Sequence, residues 1–430
     1  PAAAGWESGH ELVADSGVFV QALLQLRSTE PLTSRLSVME ELTELVRDYK
    51  VEDLHAMWAM VADLLGKENS DGVKERAVSF MGALVSGDNF SRLGALRGEF
   101  FDIAAREGGA LHSVLRLRIL AHATRSAQAC APFELKTAEL LEGWLGALAS
   151  SIAGELHAAP LPGGVAREGV ELLSYTSVFV KMASVELPDA LFCRLVDAVC
   201  AVCFQALDRS VEAEESPQPG EASPHQKNDP RMQLLRACLA VFDVVTRYTS
   251  PSLGCTREIT DTLCAAVNDA QVSRECVQVM RNFLLGAPGL GATNQLLSTL
   301  HSAPPPGSTS GAAARTAAGR WVGRVRGAIF LLSMATWGSG NISGRRPTQR
   351  YSRTRILAAL TAATASGEKT VALEVLMSVD RLVRTAGKEL QLEWAAVCET
   401  LSAVLAQLDP SSASNPPRAD AASASGAAGA

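Results

Sequence analysis

Strand-like alternation of apolar and polar residues is almost wholly missing from this 430-residue chain, which excludes a sheet-based core. Aromatic residues are only 5% of the total and β-branched runs are short, so the apolar mass has to come from Leu and Ala, residues that favour helix. No apolar run reaches the ~18 uncharged residues of a membrane span, and Pro1 to His10 lack the basic and apolar blocks of a secretory signal. The expectation is a soluble, intracellular protein. Pro1 is not an initiator Met, and residues 409–430 form a Ser/Ala/Gly/Pro segment unable to build a core, so the sequence reads as a piece of something longer that ends in a low-complexity, disordered tail.

Catalytic motifs are missing too. There is no Walker A sequence, no Gly-x-Ser-x-Gly elbow and no His-Glu-x-x-His, and no nucleophile stands near a plausible base. The seven histidines are scattered without metal-ligand spacing. Among the nine cysteines, Cys200-Ala-Val-Cys203 has the spacing of half a zinc site or a redox pair. With Cys193, however, these residues step by seven and three along a helix among Leu195, Val199 and Phe204, the pattern of a buried apolar stripe. Gly289-Leu-Gly291-Ala-Thr-Asn294 begins like a dinucleotide fingerprint but lacks the last glycine and follows a helix rather than a strand; it reads as a turn between helices. No metal, no cofactor and no enzyme activity are expected.

What the chain has is one amphipathic helix after another. Leu54, Met57, Trp58, Val61, Leu64 and Leu65 share one face of a 3.6-residue helix. Asn69 to Gly72 break the run, and Val73, Ala77, Val78, Met81, Leu84 and Val85 repeat it. Each helix buries only a few side chains worth about 1.5–3 kcal/mol apiece, too little to hold an isolated pair against its ordering entropy, so pairs must stack. The fold expected is all-α: an α-α superhelix, a HEAT/armadillo-like α-solenoid of about nine helical hairpins over residues 1–408, near the ~40-residue repeat of such arrays. Three segments interrupt it: an acidic, Pro-containing loop at 208–230 and linkers at 302–316 and 338–349.

Charge is unevenly distributed. The net charge is −7, yet from Cys276 to Gly367 there is no Asp or Glu, and this stretch holds Arg281, Arg315, Arg320, Arg324, Arg326, Arg345, Arg346, Arg350, Arg353 and Arg355. The remainder must therefore carry −17. One reading is a basic surface for an acidic segment or anionic lipid, centred on Arg345, Arg346, Arg350, Arg353 and Arg355, which fall in and after a Gly/Pro-containing turn. The other is a solvated face that balances Glu374, Asp380 and Glu389 on adjacent helices. Nucleic acid is not an expected partner, because the chain is acidic overall and no stacking aromatics interleave the arginines apart from Trp321 and Tyr351.

Five segments, in this order along the chain, carry a resemblance: Trp58 to Leu65, Arg92 to Phe101, Val279 to Leu284, Arg326 to Phe330 with Met334 and Trp337, and Arg381 to Val383 followed by Gly387 to Gln391. Together they are similar to the N-terminal region of the tuberin family. Residues 1–31, the acidic loop and the tail show no family pattern. The resemblance implies an α-solenoid that binds the coiled-coil subunit hamartin, in a complex that activates GTP hydrolysis by the small GTPase Rheb and restrains target-of-rapamycin signalling at the lysosome. The activating domain of that family lies near its C-terminus, so this piece is expected to be scaffold rather than catalyst, cytoplasmic and peripheral at lysosomal or vacuolar membrane.

Two other functions compete with that one. A generic HEAT-type transport or vesicle adaptor would display Trp and Asn at repeat spacing, whereas the tryptophans fall irregularly at Trp6, Trp58, Trp144, Trp321, Trp337 and Trp394. A GTPase activator would need an exposed Asn or Arg on a rigid helix; Asn282 is the tempting residue, but between Met280 and Phe283 it reads as structural.

Overall fold

Apolar residues at helical spacing decide where this chain folds, and the turn residues between them decide where it reverses. The computed structural model describes residues 11–12, 17–48, 50–107, 110–131, 133–154, 163–183, 187–213, 229–249, 253–304, 312–337, 352–390 and 393–408. The body of the acidic loop, the linker at 338–349 and the tail lie outside that set. Two compact units are present, Pro1–Thr249 and Ser250–Ala430.

The first unit holds α1 (Gly17–Gln25), α2 (Leu32–Asp48), α3 (Leu54–Ala59), α4 (Asp71–Leu84), α5 (Leu96–Ala105), α6 (Ser113–Ala123), α7 (Glu134–Gly154), α8 (Gly163–Ala183), α9 (Asp189–Ala213) and α10 (Pro230–Tyr248). Even-numbered helices α2, α4, α6, α8 and α10 each pack on the next, while α7 packs on α9. Packing of each helix on the next but one is what stacked helical hairpins produce. The only extended pairing among the described residues is parallel, between Glu11–Leu12 (β1) and Lys50–Val51 (β2).

All six residues of the first amphipathic stripe are buried, but they do not form one helix. After α3 the chain tightens into a 3-10 turn, Ala62–Leu65. The cause is Arg35, whose side chain is 5% exposed. Its Nη2 donates to Met60 O at 2.9 Å and to Asp63 Oδ1 at 2.6 Å, its Nη1 to Asp63 Oδ2 at 2.9 Å, and its Nε to Leu26 O at 2.9 Å. A carbonyl and a carboxylate drawn to one guanidinium compete with the regular i→i+4 ladder, and Leu64 N turns to Val61 O instead. Trp58 locks the turn to α5: its Nε1 donates to Glu99 Oε1 at 3.0 Å and its ring meets Phe100 edge-on at 5.0 Å.

α9 is apolar and long enough to cross a bilayer by composition, over Asp189–Asp208. It is a core helix: Leu195, Val199, Cys200, Val202 and Cys203 are buried against α7 and α10. It runs on to Ala213, and α10 starts at Pro230 with Asp229 Oδ1 accepting the Arg231 N–H at 2.9 Å.

The second unit comprises α11 (Leu253–Ala266), α12 (Ser273–Leu285), α13 (Gly289–Leu300), α14 (Ala312–Thr336), α15 (Arg353–Thr364), α16 (Lys369–Ala386) and α17 (Trp394–Leu408). Here α11, α13, α15 and α17 pack in succession as one layer, with α12, α14 and α16 as the other. Two local expectations change. Helix enters the linker at 302–316 from Ala312 onward, because the Ala-rich stretch has high intrinsic propensity. Gly289 to Asn294 is not a turn but the start of α13: the reversal is made upstream, at Gly286 to Pro288, and the Thr293 Oγ1 bonds Gly289 O at 2.7 Å within the helix.

Burial and the neighbouring Arg118 push the His122 imidazole down to about 4 from its ordinary 6.5. The unfolded chain therefore binds the extra proton between those values, and this group's penalty on the first unit grows as pH falls from about 6.5 to about 4. The expected result is a stability that drops with acid by at most about 1.4 kcal/mol per pH unit in that window, read by urea unfolding at several pH values. His122→Gln should flatten the slope there and leave stability above pH 7 nearly unchanged.

Candidate interaction surface

The two described members of the sequence-derived basic cluster, Arg353 and Arg355, open α15. Ser352 caps this helix, its Oγ accepting the Arg355 N–H at 3.2 Å. Ile356, Leu357 and Leu360 are buried, which fixes α15 against α13 and α17. Arg353 is half-buried and Arg355 exposed, and the first turn contains no acidic residue. Two cations at the positive end of a helix dipole are unfavourable by ~0.3–1 kcal/mol each, a cost that a nearby anion relieves. Arg345, Arg346 and Arg350 lie outside the described residues.

Other arginines of the acid-free stretch are held by neighbouring helices. Arg281 Nη2 donates to Met334 O at 3.0 Å. Arg324 stands 3.7 Å from Asp261 on α11, whose other oxygen accepts from Gln295 Nε2 at 3.0 Å. Asp261 was not among the expected balancing acids; no local spacing links it to Arg324. Of those that were, Asp380 pairs with Arg384 at 2.8 Å on its own helix, and the Glu389 side chain lies outside what is described.

Glu374 sits at a polar seam between α14 and α16. It is 5% exposed; burial pushes its carboxyl up, against the pull of Arg381 and Arg326. Arg381 Nη1 is 3.6 Å from Glu374 Oε1, too long for a hydrogen bond, and donates to Ser333 Oγ at 3.3 Å. The Arg381 guanidinium lies 5.0 Å from the Phe330 ring centroid. Trp337 Nε1 donates to Ser378 O at 3.1 Å. Three buried polar atoms here have no hydrogen-bond partner among the described residues: Arg326 Nε, Glu374 Oε1 and Ser378 Oγ.

The first unit contains a cleft of about 890 Å³ between the 3-10 turn and α5, walled by Asp63, Glu68, Glu99, Asp102 and Glu107 with Lys67 and Arg106. Its lining includes no hydroxyl, thiol or imidazole side chain. Cys200 and Cys203 are buried, and neighbouring Cys238 has its thiol pushed well up by burial, as in an apolar stripe. Asn282 is half-buried and accepts from Gln278 Nε2 at 3.2 Å, between buried Met280 and Phe283.

Compared with known proteins, residues 32–427 match the family model described as a domain of unknown function, DUF3384, which is the family of the tuberin N-terminal region. The chain belongs to the tuberin N-terminal family. A solved structure described as "Structure of the TSC2 N-terminus" superposes with a TM-score of 0.70 at 18% identity, covering 93% of this chain and 90% of that one. The tuberin-like segments legible in the sequence occupy core positions: Trp58 on α3, Phe100 and Phe101 on α5, Met280 and Phe283 on α12, Ile329 on α14 and Leu382 on α16 are all buried. Two tuberin-like segments also supply Arg326 and Arg381 to the polar seam. The seam itself was missed in the sequence because Glu374 and Ser378 look like ordinary interruptions of an amphipathic helix.

Proposed function

We propose that this chain is the scaffold module of a tuberin-like protein: a solenoid that binds the coiled-coil subunit hamartin and so assembles a Rheb GTPase-activating complex that restrains target-of-rapamycin signalling. The observation that carries the reading is the family match over residues 32–427 on an all-helical stack. It acts in the cytoplasm, peripheral at the lysosomal or vacuolar membrane. Rheb is engaged through a catalytic domain elsewhere in the full protein. GTP-loaded Rheb mixed with this chain at micromolar concentration should therefore hydrolyse at its intrinsic rate; acceleration by even about tenfold would contradict a scaffold role.

The basic segment from Arg345 to Arg355 is the proposed contact for an acidic stretch of the partner or for anionic lipid. Support comes from the α15 first turn, with Arg353 and Arg355 and no acid. Reversing Arg345, Arg346 and Arg350 to Glu should weaken binding to hamartin or to anionic vesicles. Wild-type affinity should fall as salt shortens the Debye length from ~10 Å at 0.1 M towards ~3 Å at 1 M. Unchanged binding to both in the triple variant would remove this surface from the proposal.

A further inference from the structure

We propose that the corner joining α6 to α7 is a conformational latch: a strained left-handed turn at Arg125, Ser126 and Ala127 that Tyr175 and Arg97 hold shut, and that opens without unfolding of the first unit around it. The inference goes beyond the scaffold reading and does not depend on it.

Backbone strain is the first ground. Arg125, Ser126 and Ala127 stand at φ 49°, 52° and 67°, in the left-handed region where a Cβ crowds the neighbouring carbonyl. Gly, and at times Asn or Asp, visits that region as a single residue; a run of three other residues does not form there unaided. Among the described residues no other non-glycine residue has a positive φ. Such a conformation persists only where its surroundings over-determine it.

The clamp around the turn is the second ground. The Thr124 hydroxyl donates to Leu120 O at 2.7 Å, and it accepts from the Ala127 N–H at 3.2 Å and from the Tyr175 hydroxyl on α8 at 2.7 Å. Arg97 on α5 donates from Nε to Ala123 O at 2.8 Å and from Nη2 to Ala129 O, so one guanidinium spans both ends of the turn. Its position is fixed by the Phe90 and Phe133 rings, whose centroids lie 5.4 Å and 5.2 Å away. Cys130 closes the corner, its Sγ donating to Ala127 O at 2.9 Å. Ala127 and Cys130 are buried, whereas Arg125, Ser126 and Gln128 are exposed. Strain opposed by a few discrete contacts gives two arrangements, closed and open, and opening releases the strain locally. Because Tyr175 and Arg97 belong to α8 and α5, contact at the exposed tip acts on both helices.

Cys130 reports the opening. Burial pushes its thiol up to about 12, so iodoacetamide near pH 8 reacts through the open form. Alkylation of the full chain is followed cysteine by cysteine by mass spectrometry, with Cys203 and Cys238, fully buried in the same unit, marking unfolding of the unit as a whole. Cys130 should react about tenfold or more faster than either, and its rate should hardly respond to dilute urea, because a local opening exposes little surface. Ser126→Gly should slow Cys130 several-fold by relieving the strain. Ser126→Val, β-branched and intolerant of positive φ, should speed it several-fold, and so should Tyr175→Phe, which removes one arm of the clamp. Opposite signs at one exposed position separate a strained latch from general damage. Equal rates at the three cysteines, a shift in the same direction for the Gly and Val variants, or an unchanged rate in Tyr175→Phe would each overturn the proposal.

Discussion

Arg35→Met is expected to destabilise the first unit by about 2–4 kcal/mol. Arg35 donates four hydrogen bonds from a nearly sealed position, two to backbone carbonyls and two to Asp63. Removing the guanidinium leaves Leu26 O and Met60 O without their donor, while Asp63, 47% exposed, can return to water and so moderates the loss. Met preserves most of the apolar stem, which keeps the comparison one of polar contacts. The contrasting variant is Arg76→Ala. Its ion pair with Glu40 is short, at 2.9 Å, but both side chains are more than half exposed, so the change should stay within about 1 kcal/mol. Urea unfolding measures both, and hydrogen exchange at residues 60–65 should speed up only in Arg35→Met.

Gly327→Ala should cost the second unit about 3 kcal/mol, the upper end of the overpacking range. Where α14 crosses α11, a Cβ on Gly327 would overlap the backbone carbonyl of Cys264. A carbonyl in a helix cannot swing aside as a side-chain tip can, so the two helices must separate and loosen Leu263 and Ala328, both fully buried. The same substitution at Gly319 on the same helix meets nothing within 4 Å and should stabilise by roughly 0.5–1 kcal/mol through helix propensity. Opposite signs for one chemical change, seen as opposite shifts in thermal midpoint, would isolate helix-crossing distance as the cause.

How much of this could be read in the amino-acid order depends on the range of the interaction. Amphipathic period is local, so the buried faces were legible: Leu54 through Leu65, Val73 through Val85, and the Cys200–Cys203 stripe all lie inward. The division of the first face into α3 and a 3-10 turn was not legible, because Arg35 imposes it from α2. The same holds for Arg324 with Asp261 and for Arg326 with Glu374, whereas Arg381 lies seven residues from Glu374 on α16 itself. Pairs between helices are set by which helices stack, and no spacing rule encodes that. Of the proposed basic surface, only Arg353 and Arg355 lie within the described residues, at the start of α15.

Complex formation with hamartin tests the scaffold role most directly. Analytical gel filtration of a hamartin coiled-coil fragment mixed with this chain, at moderate salt, should give one co-eluting species. Crosslinks should fall on residues before Leu408, and deletion from Ser411 onward should leave the complex unchanged. Separate elution of two folded proteins, helical by circular dichroism and unshifted at micromolar concentration, would contradict the proposal that this solenoid is where hamartin binds.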